Sequence, residues 1–284
     1  MVMGQVRRVS AFAKDGVGGN PAGVALLDGP AEAAEMLKAA AEIGYSETAF
    51  SYKSGDRWHT RYFAPEQEVP FCGHATIALG ATLGAVNGAG LYRLALNNGN
   101  ITVEASVDAR GIWSSVLQSP PTWSKVMEPD LLDTLLAAFG WSQADLDPRI
   151  PPHVAHAGAT HAVLALRDRA VLRDMAYDFD PMRELMLAEG LVTVALVWIE
   201  SETRFHVRNP FAFGGVYEDP ATGAAAAAFG GLLRDIAWPS VTGGGAFEII
   251  QGEDMGVPSR LTIEVTPEIG ASIRVAGATR PIVV

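Results

Sequence analysis

The 284-residue chain has a single cysteine, Cys72, so no disulfide can form within it. Charged side chains are scarce, at 19% of residues, and acidic ones outnumber basic ones, 32 to 21, for a formal net charge of −11. Lysine and arginine nowhere form a run. A surface of that sign repels phosphate backbones and anionic headgroups, which argues against nucleic acid or a membrane as partner. No positively charged segment followed by an apolar stretch precedes the first strand-like residues, so export is not expected and the cytoplasm is the expected location. Glycine-rich stretches at 14–21 and 242–245 lack the spacing and the terminal Lys-Ser/Thr of nucleotide-binding loops, and both read as turns.

What is present is hydrophobic material, 49% of the chain, with 30 glycines and 17 prolines. That is enough to fill one large or two medium cores, and two domains are expected. Residues 69–90 carry no charge and are long enough to raise the question of a membrane span. Pro70, His74, Asn87 and five glycines interrupt them, which leaves a loop and a buried helix over about 75–86, too short to cross a bilayer.

Strand-like segments fall at 5–12, 23–27, 48–52, 58–63, 101–107 and 112–118. A helix over 31–43 is predicted from Met36, Leu37, Ala40 and Ile43 on one face, with Gly44 as its stop. Ser119-Pro120-Pro121 reads as the crossing point between an N-terminal half, 1–118, and a C-terminal half, 119–284, whose last strand could pack back on the first half. The second half holds an apolar-striped helix over 130–139, strands at 161–166, 191–199 and 204–208, and an uncharged helix over 224–233. Each half thus runs from a strand through a polar Pro/Gly loop into an Ala-rich helix without charge, a weak internal repeat. A helix uncharged all round is a central, buried one, and two of them would aim free N–H groups at an anion held between the halves.

Several residues invite a chemical reading, each with a plainer one beside it. Gly73-His74 and Thr222-Gly223 precede the two buried helices, where glycine allows close approach to a carboxylate; ordinary helix capping is the alternative. Glu47 enters a largely apolar strand, so poor solvation could fit it for acid/base work, against a solvent-facing strand position. Asp219 precedes Pro220 and is expected as the N-cap of a helix whose first turn holds that proline, a role compatible with ligand contact. Cys72 is a candidate thiol base, but a two-thiol epimerase needs a second cysteine, and packing is the plainer role. His153, His156 and His161 cluster in sequence without zinc-site spacing, so no metal is expected.

The ordered motifs Gly19-Asn20-Pro21-Ala22-Gly23-Val24, Tyr45-Ser46-Glu47-Thr48-Ala49-Phe50, Arg61-Tyr62-Phe63-Ala64-Pro65, Glu68-Val69-Pro70-Phe71-Cys72-Gly73-His74-Ala75-Thr76, Glu218-Asp219-Pro220-Ala221-Thr222-Gly223, and Gln251-Gly252 with Pro258-Ser259 span nearly the whole chain. Together they resemble the PhzF (phenazine-biosynthesis-like) family. The resemblance implies an α/β (α+β) chain of two similar diaminopimelate-epimerase-like domains, each a curved, mostly antiparallel sheet or barrel around a central helix. It implies Glu47 as acid/base, with His74 and Asp219 lining the site, Asn20 as a polar ligand-binding group, and Gly73, Thr222, Gly223 and Ala224 at the substrate. Ala224 stands where the family often has serine. The implied reaction is an allylic proton shift on a small unsaturated carboxylic acid, with no metal or organic cofactor, in a homodimer. A racemase or epimerase of an amino or hydroxy acid, working through Glu47 with Asp219 or Cys72, and a non-catalytic small-acid binding protein remain open alternatives.

Overall fold

The computed structural model describes residues 6–283. Its elements run β1 (Arg7–Ala11), β2 (Asn20–Leu27), α1 (Ala33–Ile43), β3 (Thr48–Ser54), β4 (Arg57–Phe63), β5 (Glu68–Val69), α2 (Gly73–Asn87), β6 (Gly90–Leu96), β7 (Gly99–Val107) and β8 (Trp113–Gln118). They continue with β9 (Trp123–Val126), α3 (Pro129–Phe139), β10 (His153–His156), β11 (Thr160–Leu166), α4 (Arg169–Arg173), α5 (Phe179–Glu189), β12 (Thr193–Ser201), β13 (Arg204–Pro210), β14 (Glu218–Asp219), α6 (Gly223–Asp235), β15 (Gly245–Gln251), β16 (Ser259–Val265) and β17 (Arg274–Pro281). Gln5, where the first strand is expected to start, lies outside the described residues. No helix among the described residues is long and apolar enough to cross a membrane. The chain divides into two compact units, Met1–Gln118 with Ala276–Val284, and Ser119–Val275.

In the first unit the strands close on themselves. β1 pairs antiparallel with β2, β2 parallel with β3, β3 antiparallel with β4 and β4 parallel with β6. β6, β7 and β8 follow as an antiparallel run, and β17 joins β8 back to β1. The result is an eight-stranded barrel, and closure leaves it no free sheet edge. Inside runs α2, packed against β1, β2, β3, β6, β7 and β8, with every residue from Gly73 to Gly84 buried. This is why its sequence has no polar face: each side meets barrel wall. Small residues set the fit, since a Cβ built on Gly84 would lie 2.4 Å from the Trp113 ring and 2.8 Å from Ala105. Outside, α1 covers the barrel through Met36, Ala39 and Ala40, which pack on Ala25, Phe50 and Phe63.

The second unit repeats the pairing order. β10 pairs antiparallel with β11, β11 parallel with β12, β12 antiparallel with β13, β13 parallel with β15 and β15 antiparallel with β16. α6 occupies the place of α2, packed on β9, β10, β11 and β16 and buried from Ala225 to Arg234. Along β11, Ala162, Leu164 and Leu166 join Leu135, Leu136 and Phe139 of α3 and Met182 and Met186 of α5 in an outer core, the period-two alternation of a strand covered on both faces. The sequence pattern does not foretell α5, because Asp180 and Pro181 break its stripe, nor β10, a short strand carrying two histidines.

One expected role changes. The N-cap of α6 is Thr222, and Asp219 lies three residues upstream in β14. Two contacts hold residues 218–219 extended: Asn209 pairs with Asp219 across β13 and β14, and the guanidinium of Arg208 grips the Glu218 carboxylate at 2.5 and 3.0 Å. Pro220 therefore precedes the helix instead of starting it.

Two stability predictions follow from this packing. In Gly84→Ala the gain in helix propensity is at most about 1 kcal/mol, while overpacking against Trp113 costs about 1–3 kcal/mol; urea titration should show net destabilisation, and an unchanged midpoint would mean the helix is not tightly sleeved. His161 is fully buried, bonds Thr193 Oγ1 through Nδ1 at 2.8 Å and leaves Nε2 without a hydrogen bond. Desolvation first, and His156 second, pushes its pKa from 6.5 down to about 3. Below pH 6.5 the unfolded chain takes up a proton the folded one refuses. Stability therefore falls as pH drops from 6.5 towards 3, by about 1.4 kcal/mol per pH unit at the steepest. His161→Gln should flatten that part of a denaturation-versus-pH series.

Candidate active site

Glu47 sits where a parallel strand pair begins. Gly23 of β2 lies opposite Thr48 of β3, and the Gly23 N–H donates to the Glu47 carbonyl at 3.2 Å, which fixes the backbone just before the strand. The Glu47 side chain is 14% exposed and faces His74, 6% exposed, with Oε2 3.5 Å from Nε2. Ser46 Oγ lies 3.4 Å from the same nitrogen. On the other side of the ring, Cys72 Sγ lies 3.3 Å from Nδ1.

His74 owes its place to the start of α2. Cys72 is the N-cap residue, extended at φ −142° and ψ 120°. Its carbonyl accepts from the Thr76 N–H at 3.1 Å and the Thr76 hydroxyl at 2.7 Å, and Thr76 in turn meets the buried Tyr62 hydroxyl at 2.6 Å. Burial raises the Tyr62 pKa, so the phenol stays neutral and available as a donor. The N–H groups of Gly73, His74 and Ala75 have no intrahelical partner, as the first turn of any helix requires, and the helix dipole places partial positive charge there. In the loop before α2, Arg61 grips Glu68 at 2.6 and 2.7 Å, and this hydrogen bond holds the Glu68 carboxyl below its usual range. Asn20 opens β2 and is buried.

In the second unit, Asp219 Oδ2 accepts from the Thr222 hydroxyl at 2.5 Å. Gln251, at the end of β15 and 1% exposed, ties the loop together: its amide N–H₂ donates to the Asp219 carbonyl at 2.6 Å and reaches Thr222 Oγ1 at 3.2 Å, while its oxygen accepts from the Thr222 N–H at 3.2 Å. Gly252 continues this seam with φ +72°, where an added Cβ would lie 2.9 Å from the Pro220 carbonyl and 2.5 Å from that of Val257. Gly223 and Ala224 form the first turn of α6.

Of the residues singled out in the sequence, Glu47 and His74 thus meet in the first unit, and Asp219 and Thr222 meet in the second. Ser46, Cys72 as a histidine partner, and Gln251 are added by the structure. Ser46, Cys72 and Gln251 all stand inside the quoted motifs, but only the fold reveals their hydrogen-bond partners. The histidines 153, 156 and 161 do not converge: their Nδ1 atoms engage Pro151, Thr160 and Thr193 respectively. Among the described residues, Glu47, Cys72 and His74 are the set of metal-ligating types whose ligand atoms fall within 4.8 Å of one another. Cys72 Sγ and Glu47 Oε2 approach different nitrogens of the His74 ring.

A sheet wrapped on a buried helix, made twice and closed into a barrel in the first unit, is the diaminopimelate-epimerase-like fold of an enzyme, and a carboxylate meets an imidazole at one helix start. The comparisons narrow this further. Residues 9–282 match the family described as "Phenazine biosynthesis-like protein", PhzC-PhzF, and the chain belongs to that family. An "Uncharacterized isomerase" of Deinococcus radiodurans is 32% identical over 274 residues, covering 93% of this chain and 87% of the relative. The trans-2,3-dihydro-3-hydroxyanthranilate isomerase of Pseudomonas chlororaphis is 30% identical over 256 residues, covering 88% and 86%. The crystal structure of a PhzF-family phenazine biosynthesis protein from Bacillus anthracis matches with a TM-score of 0.84 over 98% of each chain at 22% identity, a likeness of fold. The class of reaction is isomerisation.

Gln251 provides a test of the loop geometry. Gln251→Leu keeps the volume but removes the amide's hydrogen bonds to the Asp219 carbonyl and to the Thr222 N–H, at about 1–3 kcal/mol in all. Denaturant titration should register a loss of that order, and a loss below 0.5 kcal/mol would mean that water replaces the amide there.

Proposed function

We propose that this protein moves a proton between two carbons of a small unsaturated carboxylic acid, with Glu47 as the acid/base and no metal or organic cofactor in the step. The observation that carries the reading is the Glu47–His74 pair: a carboxylate largely withdrawn from water, beside a more deeply buried imidazole at the start of a buried helix. A base in such a place is little hydrated and can approach a C–H bond without first shedding water.

In the proposed step Glu47 removes a proton from an allylic carbon, the electron pair shifts along the unsaturated system, and the carboxyl, after exchanging its proton with solvent, delivers one to a second carbon. Atoms and charge balance, and the product is an isomer. His74 stabilises the carboxylate before the transfer. The N–H groups of Gly73 and Ala75 suit a substrate carboxylate, as donors backed by a helix dipole. Asn20, buried at the start of β2, is a further polar candidate. In the second unit, Asp219, Thr222, Gly223 and Ala224 are the corresponding candidates, with Ala224 offering no hydroxyl where a serine would. The dihydro-hydroxyanthranilate activity named for the Pseudomonas chlororaphis relative supports an unsaturated cyclic acid as the first substrate to try.

Proton NMR in heavy water tests this with trans-2,3-dihydro-3-hydroxyanthranilate and a panel of small unsaturated and α-chiral acids. Wild type should place solvent deuterium at a carbon distant from the one that lost its proton. Glu47→Gln should slow this by about 10²–10⁴-fold while leaving folding intact. Deuterium exchange at wild-type rate in the variant would overturn the role of Glu47. Label confined to a single inverted stereocentre would favour racemisation or epimerisation.

A further inference from the structure

Resting on the reading of Glu47 as the base, we propose that Cys72 is the positioning residue of His74: its thiol donates to Nδ1 and so holds the ring with Nε2–H directed at the Glu47 carboxylate. A neutral imidazole has one donor and one acceptor nitrogen. Nε2 faces Glu47 Oε2 at 3.5 Å and Ser46 Oγ at 3.4 Å. An ionised carboxylate can only accept, so the nitrogen it faces must be the donor. Nδ1 is then the acceptor, in a buried place, and an unsatisfied buried acceptor is costly. The atom 3.3 Å from it is Cys72 Sγ, and both residues are buried.

The thiol is aimed by backbone that cannot easily turn. The Cys72 carbonyl is held twice by Thr76, and Thr76 by Tyr62, so the Cα–Cβ direction is set by the same contacts that start α2. The opposite tautomer would put the Nε2 lone pair against the carboxylate oxygen and an N–H on Nδ1 against the thiol hydrogen. The outcome is a chain of donors, Cys72 to His74 to Glu47, that favours the ionised base before it meets the substrate. The thiol in this arrangement is neither a nucleophile nor a second base, which distinguishes it from the cysteines of a two-thiol epimerase.

Because the chain has one cysteine, its S–H stretching band in the infrared belongs to Cys72 alone. The wild-type band should lie at lower wavenumber than in His74→Phe, which removes the acceptor. With ¹⁵N-labelled histidine, the His74 signal, assigned by its loss in the same variant, should show Nε2 protonated. In the deuterium-exchange assay Cys72→Ser, which keeps a donor, should stay within about threefold of wild type in rate and close to it in thermal midpoint, while Cys72→Ala, which leaves Nδ1 without its donor, should fall about tenfold and melt at a lower temperature. A band unmoved by His74→Phe, no S–H band at all, or an unprotonated Nε2 would overturn the assignment. The infrared and nitrogen readings need no substrate, so a chain that exchanges no acid on the panel refutes the proton-shift reading and leaves the hydrogen bond separately decided.

Discussion

The burial of α2 on every side is the constraint from which the rest follows. A helix sleeved by strands cannot have its backbone solvated, so each peptide group must be satisfied within it. Within the buried stretch the first turn escapes, because its N–H groups have no intrahelical acceptor by construction, while the last turn, 85–87, is exposed. The barrel therefore concentrates unused donors and positive helix-end charge at one place, and that place is where Gly73, His74 and Cys72 stand. Small side chains within the helix and aromatic and branched ones on the wall are the packing counterpart of the same demand. The site chemistry is in this sense a by-product of the architecture, with Glu47 brought to it by the parallel pairing of β2 and β3.

The second unit meets the same demand with different side chains. Where the first unit fixes its helix start through Tyr62 and Thr76, the second uses a buried Arg208–Glu218 pair and the amide of Gln251. Burial of an ion pair is costly unless the remaining donors are used. Arg208 uses them on Glu218 and on the carbonyls of Leu172 and Arg173. The pair does less for global stability than for the shape of one loop, since it keeps Glu218 extended and delivers Asp219 to Thr222.

The helices α1, α2, α3 and α6 are legible in the sequence because their faces are pure, either striped or uniformly uncharged. The barrel pairing is not, since parallel partners such as β4 and β6 are joined only by register and share no local signal. At the candidate site, Glu47 and His74 stand out by residue type in an apolar setting. The expected capping by Asp219 fails because cap preference is a local argument, and a strand pairing with Asn209 outweighs it. Cys72 reads as packing because its spacing from His74 says nothing about which ring nitrogen it meets. Gln251 lies 29 residues beyond Thr222, and no periodicity connects them.

The first barrel is completed by the last strand of the chain. Until residues 276–281 are synthesised, β1 and β8 stand apart with their hydrogen-bonding edges open and α2 is only partly enclosed. A ribosome adding about 5–20 residues per second leaves that seam open for roughly 8–30 seconds while the whole second unit emerges. The N-terminal segment, though made first, thus reaches its final form last. During that interval its two open edges are the part of the nascent protein most exposed to pairing with other chains.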